Sequence, residues 1–230
     1  MPVNPDAAIE LTAFRWVPGF AEGLVRDLRI RWALEEIGRD YRVRLLDALT
    51  PRPSEYFQEQ PFGQVPAIRD GDVRLFESGA ILIHLGLQDG RLLPADHAQK
   101  MRAIAWLIAA LNSVELMIFE LVNIDIFNAG ESWTRERRPQ VVDKIQARLK
   151  LLSEALGDKD WLEGRFTIGD LMMVSVLRNL RHTDLVGECD NLKAYVKRGE
   201  GRPAFQRAHA DQIAVFAANQ PQPEPEGEAA

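Results

Sequence analysis

The sequence predicts an α/β domain at residues 1–88, followed by an all-α domain at residues 99–218. Strand-like and helical periodicity alternate up to about residue 88, and only helical periodicity follows. Between them, residues 89–98 carry Gly90 and Pro94, show no periodicity and are predicted to be a linker. The tail at 219–230 is rich in Pro and Glu, so we expect it to be mobile or loosely docked.

The first domain is predicted to alternate strands and helices. Short apolar or alternating runs indicate strands, apolar residues at intervals of three to five indicate helices, and Gly38 ends the first helix. Two short apolar runs flank Asp70-Gly71 and predict a hairpin. In chain order we predict a strand at 9–16, a helix at 23–38, a strand at 41–48, the hairpin, and a helix at 78–87.

The second domain is predicted to contain helices alone. Apolar residues recur at helical spacing from Met101 to Phe127 and again in four later stretches. Those stretches are 137–156, 167–180, 190–197 and 203–218.

Composition excludes several classes of function. The chain has 28 basic and 34 acidic residues, a net charge of −6 and no basic surface stretch, so we expect no nucleic-acid partner. Four scattered His residues and the single Cys189 predict neither a metal site nor a disulfide. No basic leader precedes an apolar run, and no window is judged apolar enough to cross a membrane. We therefore expect a cytoplasmic protein without membrane contact.

Two short motifs in the first domain favour a peptide-like ligand. A cis bond before Pro66 turns the backbone of Val65 outward for pairing with an extended peptide, whereas a trans proline marks only a strand start. Ser78 begins a helix, where its hydroxyl and N–H suit a carboxylate, and the adjacent Glu77 suits an ammonium group. Together they fit a zwitterion; the alternative is an ordinary helix cap beside a solvated acid.

The order of these elements resembles the cytosolic glutathione S-transferase family. The most specific stretch is FGQVPAIRDGDVRLFESGAILIHL at 62–85, supported by RWALEEIGRDYRV at 31–43, FTIGDL at 166–171 and GRPAFQRA at 201–208. The resemblance implies a thioredoxin-like first domain, a homodimer and a role in detoxification. It also implies glutathione as co-substrate, whose thiolate is conjugated to a small apolar electrophile.

The resemblance also implies roles for individual residues. Val65 pairs through its backbone with the cysteinyl residue of glutathione, Pro66 is cis, and Glu77 and Ser78 hold the γ-glutamyl end. Gln64 lies near the glycyl carboxylate, with Arg52 or Gln60 as further candidates. In FTIGDL, Thr167 and Asp170 form a capping box, so Asp170 is structural and not a catalytic acid.

The first loop departs from the family pattern. Family members activate the thiol with a Tyr, Ser or Cys there, but residues 13–28 contain none. Backbone N–H groups of residues 24–26 and a guanidinium can favour a thiolate instead, so Arg26 is our candidate catalytic residue. Arg15 and Trp16 are alternative candidates. The simpler interpretation of Arg26 is a solvated charge on the helix. Cys189 is interpreted as a passive thiol.

The second substrate is expected between the two domains. Trp16 and Phe20 in the first loop are the predicted contacts, and the long helix offers Met117, Phe119, Glu120 and Phe127. Core packing is the alternative for those four residues. Two other functions leave the same sequence pattern: a glutathione-dependent disulfide or peroxide reductase without a protein thiol, and a non-catalytic binding or interaction module.

Overall fold

The computed structural model describes residues 3–221 and begins with a mixed four-stranded sheet. The strand order is β2-β1-β3-β4, with β1 parallel to β2 and antiparallel to β3, and β3 antiparallel to β4. This arrangement confirms the predicted thioredoxin-like domain. Its elements are β1 (Ile9–Phe14), α1 (Asp27–Ile37), β2 (Tyr41–Leu46), β3 (Ala67–Asp70), β4 (Val73–Phe76) and α2 (Ser78–Gln88).

The rest of the described chain is helical, as predicted. A continuous helix from His97 to Phe127 contains two π-helical stretches, Ala110–Glu115 and Asn123–Phe127. The α-helices are α3 (His97–Ala109), α4 (Leu116–Val122), α5 (Ser132–Leu156), α6 (Ile168–Leu177), α7 (Asp190–Glu200) and α8 (Pro203–Ala218). Short 3₁₀ helices occupy Ser54–Gln58, Arg178–Leu180 and Leu185–Glu188.

Several element bounds differ from the prediction. Strand β1 ends at Phe14, and α1 begins only at Asp27 because turns, including Gly23 with φ of +72°, occupy the segment between them. Helix α5 begins at Ser132 and contains Pro139, whose φ suits a helix at the cost of one hydrogen bond. Helix α3 starts inside the predicted linker because the Asp96 side chain accepts the Gln99 N–H at 2.9 Å. From residue 222 onward, the tail lies outside the described residues.

Helix α1 joins the two halves. It packs against α2 in the first half and against α6 and α8 in the second, so one apolar core spans both. Fully buried Trp32 on α1 lies 5.6 Å from Phe166 and 5.0 Å from Phe205, measured between ring centroids. The two halves are thereby fixed around the N-terminal end of α1, where the cavities described below open.

The predicted capping box begins α6. The Thr167 hydroxyl accepts the Gly169 N–H at 3.2 Å, and the Asp170 carboxylate accepts the Thr167 N–H at 2.9 Å. Asp170 also accepts the Leu162 N–H at 2.8 Å and the Tyr195 hydroxyl at 3.0 Å. The Thr167 hydroxyl donates to it as well, at 3.1 Å. With four donors on a fully buried carboxylate, Asp170 has the structural role predicted for it.

One expectation about composition is wrong. The helix from His97 to Phe127 has 31 residues and an 18-residue window of mean hydropathy 1.7, which is long and apolar enough to cross a membrane. In this fold one side of the helix packs on α6, and its middle carries Glu115, paired with Arg29. Part of its apolar surface therefore packs in the core and part lines a cavity, while a third of the apolar window is buried.

Candidate functional site

A narrow cavity of about 200 Å³ lies where β3 and α2 begin. The Val65–Pro66 peptide bond is cis, as the resemblance implies. Among residues 3–221, neither the N–H nor the C=O of Val65 has a hydrogen-bond partner, while the buried Tyr56 hydroxyl donates to the Gln64 carbonyl at 2.6 Å. A short stretch of backbone with free polar groups thus borders the cavity, and Gln60 lines it as well.

Glu77 and Ser78 line the same cavity. Glu77 is exposed and has φ of 67° and ψ of 115°, a left-handed backbone conformation that places it just before α2. Ser78 is the first residue of α2 and is buried. Its hydroxyl does not cap the helix but accepts a hydrogen bond from Nη1 of Arg29 at 3.1 Å. This corrects the simple capping alternative, because the serine belongs to a polar network that crosses the cavity.

The same network contains a buried ion pair between Arg29 and Glu115. Nη2 of Arg29 on α1 lies 2.5 Å from Oε1 of Glu115 in the first π-helical stretch, and Arg26 approaches the same oxygen at 3.4 Å. Burial alone raises the pKa of Glu115, but attraction to Arg29 and Arg26 outweighs burial and holds that pKa below its ordinary value. Burial lowers the pKa of Arg29, against the opposing pull of Glu115.

Sequence reasoning missed Arg29 and Glu115. The available signal was an acidic residue at a core-facing position, because Glu115 follows Leu111 by four residues and precedes Ile118 by three. Such a residue predicts a buried partner. Nothing in the sequence pattern identifies that partner as Arg29, which lies 86 positions away.

A larger cavity of about 620 Å³ adjoins the narrow one. Predicted contacts Phe20, Phe119 and Phe127 line it, and the rings of Phe20 and Phe127 meet edge to face at 5.6 Å. Trp16 lies outside this lining, because β1 ends at Phe14 and its alternation of faces stops there. The lining also omits Met117 and Glu120. The full lining is Phe14, Phe20, Ala21, Leu24, Val25, Arg26, Arg29, Arg52, Gly63, Gln64, Val65, Glu115, Phe119, Val122, Ile126, Phe127, Asn179, Arg181 and His182.

The two cavities share a wall made of five residues. They are Arg26, Arg29, Gln64, Val65 and Glu115. Arg26 is not a freely solvated helix charge: its side chain is 36% exposed, and its guanidinium lies 5.5 Å from the ring centre of Phe119. A group held at this wall is therefore in reach of both cavities.

The first loop supplies backbone and cations but no hydroxyl or thiol. No Ser, Thr, Tyr or Cys from the described residues lines the larger cavity. The Leu24 N–H donates to the Ala21 carbonyl at 3.0 Å, so it is not available to a thiolate, whereas the N–H groups of Val25 and Arg26 have no partner within residues 3–221. The exposed Arg15 does not line either cavity.

The helical half holds the first loop in place. Nη1 of Arg178 donates to the Gly23 carbonyl at 2.6 Å, and Nη2 of Arg181 donates to the Phe20 carbonyl at 2.9 Å. Gly23 has φ of +72°, and a Cβ there would lie 2.5 Å from Nε2 of His209. The loop conformation therefore depends on glycine and on two arginines beyond α6.

The remaining candidates lie at the edges of the site. Arg52 lines the larger cavity and donates to the Gly63 carbonyl at 3.0 Å and the Thr50 carbonyl at 2.9 Å. Cys189 precedes α7 and lines neither cavity. Within residues 3–221, no group of three or more His, Cys, Asp or Glu residues could hold a metal ion.

Comparison with known proteins identifies the family. Residues 22–86 match the family model of the glutathione S-transferase N-terminal domain. The chain is 30% identical over 184 residues to glutathione S-transferase GstA of Escherichia coli O157:H7, covering 76% of this chain and 88% of that protein. It is 44% identical over 198 residues to the probable glutathione S-transferase GSTF1 of Oryza sativa subsp. japonica, covering 79% and 90%.

A solved structure has the same fold. It is a glutathione transferase from Burkholderia graminis with two glutathione molecules bound per subunit, which superposes with a TM-score of 0.76 at 26% identity over 88% of each chain. The identity and coverage of the sequence relatives, together with this fold, place the chain in the glutathione S-transferase family of enzymes.

Proposed function

We propose that the protein conjugates the thiolate of glutathione to an electrophile. The narrow cavity holds the tripeptide, and the larger apolar cavity holds the electrophile. The observation that carries this proposal is the shared wall, where Arg26 and Val65 border both cavities. A thiol held beside Val65 reaches an electrophile in the larger cavity without crossing a barrier of side chains.

Glutathione binding rests on the polar groups of the narrow cavity. Glu77 attracts the ammonium of the γ-glutamyl end, and the Ser78 hydroxyl and N–H donate to its carboxylate at the positive end of α2. Because the Ser78 oxygen accepts from Arg29, its own hydrogen is free to be donated to a ligand. Val65 pairs with the cysteinyl backbone beside Pro66, and Gln64, with Arg52 nearby, faces the glycyl carboxylate.

Removing the Glu77 carboxylate tests the γ-glutamyl assignment. In Glu77→Ala we expect the binding free energy for glutathione to weaken by about 1.5–3 kcal/mol, because a charge-assisted hydrogen bond is lost. Isothermal titration calorimetry measures the binding free energy. The control is Glu55→Ala, which also removes one acid, at an exposed position of the Ser54–Gln58 helix. The Ser78→Ala variant should weaken binding as well. Unchanged affinity in both site variants would refute the assignment.

Thiol activation is assigned to Arg26 and the free N–H groups of Val25 and Arg26. A nearby cation and helix-terminal N–H groups stabilise the thiolate relative to the thiol, which takes the place of the absent hydroxyl. The thiolate sulfur then bonds to the electrophilic carbon, and the leaving group departs with its electron pair. No protein nucleophile is required.

The thiol pKa of bound glutathione tests this role. We expect Arg26→Ala to raise that pKa by about one unit, since a single partly exposed charge is lost, and Arg26→Lys to keep it low. Thiolate absorbance in the ultraviolet, followed against pH at saturating glutathione, gives the value. The same pKa in the wild-type protein and both variants would exclude Arg26 from activation.

A reductase is the second candidate function. The Burkholderia graminis structure binds two glutathione molecules per subunit, and a cavity of about 620 Å³ has room for a second tripeptide in this chain. One thiolate would attack a mixed disulfide, forming oxidised glutathione and releasing the substrate thiolate, with no protein thiol involved. A non-catalytic binding module is the third candidate, motivated by the absence of a first-loop hydroxyl.

One set of assays separates the three functions. A lowered thiol pKa with turnover of 1-chloro-2,4-dinitrobenzene supports the transferase. Turnover of mixed disulfides or peroxides without conjugation supports the reductase. An unshifted thiol pKa and no turnover of any substrate support the module.

We also propose a cytoplasmic homodimer that detoxifies electrophiles. Large apolar side chains stay exposed in the described part of the monomer, including Phe62 and Leu116 at 68% each, which favours their burial between two copies. Light scattering should give about twice the chain mass of 26.0 kDa. A monomeric mass would refute the dimer.

A further inference from the structure

The larger cavity is electropositive although the protein is acidic. The chain carries a net charge of −6, yet the charged residues lining the cavity are four arginines and one glutamate, with His182 beside them. The arginines are Arg26, Arg29, Arg52 and Arg181, and the glutamate is Glu115. A cavity for purely apolar molecules has no need of this excess of positive charge.

Three of these arginines serve the glutathione side of the cavity. Arg29 is neutralised by Glu115 at 2.5 Å, and Arg26 shares that carboxylate at 3.4 Å. Arg52 donates to the carbonyl of Gly63, next to Gln64. Arg181 differs from them because it comes from the helical half. Arg26 and Arg29 also line the narrow cavity, whereas Arg181 lines only the larger one.

Arg181 has spare capacity for an anion. Its guanidinium makes one hydrogen bond, to the Phe20 carbonyl, and no ion pair with a carboxylate among residues 3–221. Glu200 on α7 pairs with Arg178 at 2.8 Å, and Glu22 and Glu200 attract Arg181 without forming an ion pair with it. Partial burial and the neighbouring Arg178 lower the pKa of this surface arginine by more than Glu22 and Glu200 raise it, so its charge is only partly compensated. A ligand carboxylate would supply that compensation.

The polar residues next to Arg181 in the cavity lining do not provide a counter-charge for it. Nε2 of His182 lies 3.4 Å from Asp125, but the same carboxylate accepts two hydrogen bonds from Arg138, at 2.8 and 3.0 Å. The Asn179 amide nitrogen donates to backbone carbonyls within its own helical turn. The same cavity is also lined by the apolar side chains of Phe20, Val122, Ile126 and Phe127.

We propose that the electrophile taken by the larger cavity combines an apolar body with a carboxylate, and that Arg181 binds this carboxylate. The phenyl rings and aliphatic side chains hold the body, while the carboxylate lies at the end opposite the shared wall. The reacting carbon then faces the sulfur at Arg26. This inference rests on the proposed transferase function and narrows its substrate class.

A matched pair of electrophiles tests it. The pair is 4-chloro-3,5-dinitrobenzoate and its uncharged primary amide, in which the glutathione thiolate displaces chloride from the ring carbon. For each compound, kcat/KM is divided by the uncatalysed rate, and the value for the acid is then divided by the value for the amide. We expect this ratio to fall about tenfold in Arg181→Gln, because a charge-assisted hydrogen bond is lost. Arg181→Lys should restore most of it. Arg102→Gln removes an exposed charge, paired with Glu163 at 2.7 Å, and should leave the ratio unchanged.

A binding measurement keeps the inference separate from the proposed function. The two S-aryl glutathione conjugates are titrated by calorimetry into the wild-type protein and Arg181→Gln. The inference is supported if the wild-type protein binds the acid conjugate more tightly than the amide conjugate and if this preference falls about tenfold in Arg181→Gln. That result would stand even where turnover fails and the transferase function is refuted. Equal affinity for both conjugates, an unchanged acid preference in Arg181→Gln, or no conjugate binding while glutathione binds would overturn it.

Discussion

Replacing Glu115 by Gln is expected to lower the free energy of unfolding by about 3–5 kcal/mol, since it leaves the Arg29 guanidinium without a counter-charge. The side chains of Arg29 and Glu115 are only 4% and 7% exposed. Little of the charge that the substitution leaves behind is therefore solvated. Chemical denaturation monitored by tryptophan fluorescence measures the change.

Glu120→Gln is the matched control for that substitution. Glu120 lies on α4 in the same long helix and pairs with Arg137 at 2.6 Å, but both side chains are 37% exposed. We expect a loss of at most about 1 kcal/mol there, because solvent screens the pair. Equal losses in the two variants would show that the Arg29–Glu115 pair contributes no more to stability than an exposed ion pair does.

Acid should remove the difference between Glu115→Gln and the wild-type protein. The pKa of Glu115 in the folded state lies below its ordinary 4.5, because attraction to Arg29 and Arg26 outweighs the effect of burial. The carboxylate therefore contributes stability that is complete above pH 4.5 and disappears as pH falls through the lower folded value. The stability difference should be constant above pH 4.5 and shrink below it. A constant difference down to the acid transition would contradict the ion pair.

Asp170→Ala is expected to be the second highly destabilising change, with a loss of about 3–6 kcal/mol. Its carboxylate accepts the N–H groups of Leu162 and Thr167 and the hydroxyl of Tyr195, and all three residues are buried. Each buried donor left without an acceptor costs about 1–3 kcal/mol. A loss of this size is a large share of the stability of a typical domain. Thermal and chemical unfolding both report it.

Two variants check the cause of that loss. Asp170→Asn retains one acceptor oxygen, so its loss should fall between those of the wild type and Asp170→Ala. Asp96→Ala removes an exposed cap that accepts one bond, from the Gln99 N–H at 2.9 Å, and should cost about 1 kcal/mol. A loss in Asp170→Ala no greater than that in Asp96→Ala would refute the buried network.

The architecture was predictable because its signals are local. Alternation in β2, the Asp70-Gly71 turn and the capping box of α6 each depend on a few neighbouring residues. The start of α1 was missed because helical spacing extends back to Gly23, whose positive φ and close approach to His209 are not visible in the spacing of apolar residues. The early start of α5 was missed because Pro139 is tolerated inside the helix.

The site was only partly predictable for a related reason. Glu77, Ser78 and Val65 stand in recognisable motifs, and the structure brings them to one cavity. The partners that connect the two halves lie far apart in sequence: Arg29 and Glu115 are separated by 86 positions, and Arg181 and Phe20 by 161. Periodicity carries no information about such pairs, so they appear only when the chain is folded.

The carbonyls of Phe20 and Gly23 are held from across the molecule by Arg181 and Arg178, which limits how this enzyme can be recombined. A chimera joining residues 1–88 to the helical half of a relative would inherit every motif for the tripeptide. In place of Arg178 and Arg181, however, it would have the relative's side chains facing the first loop. Productive shuffling within the family therefore requires a helical half with donors for the Phe20 and Gly23 carbonyls and a carboxylate that accepts from Arg29. The contacts between the two halves, more than either half alone, have to be inherited together.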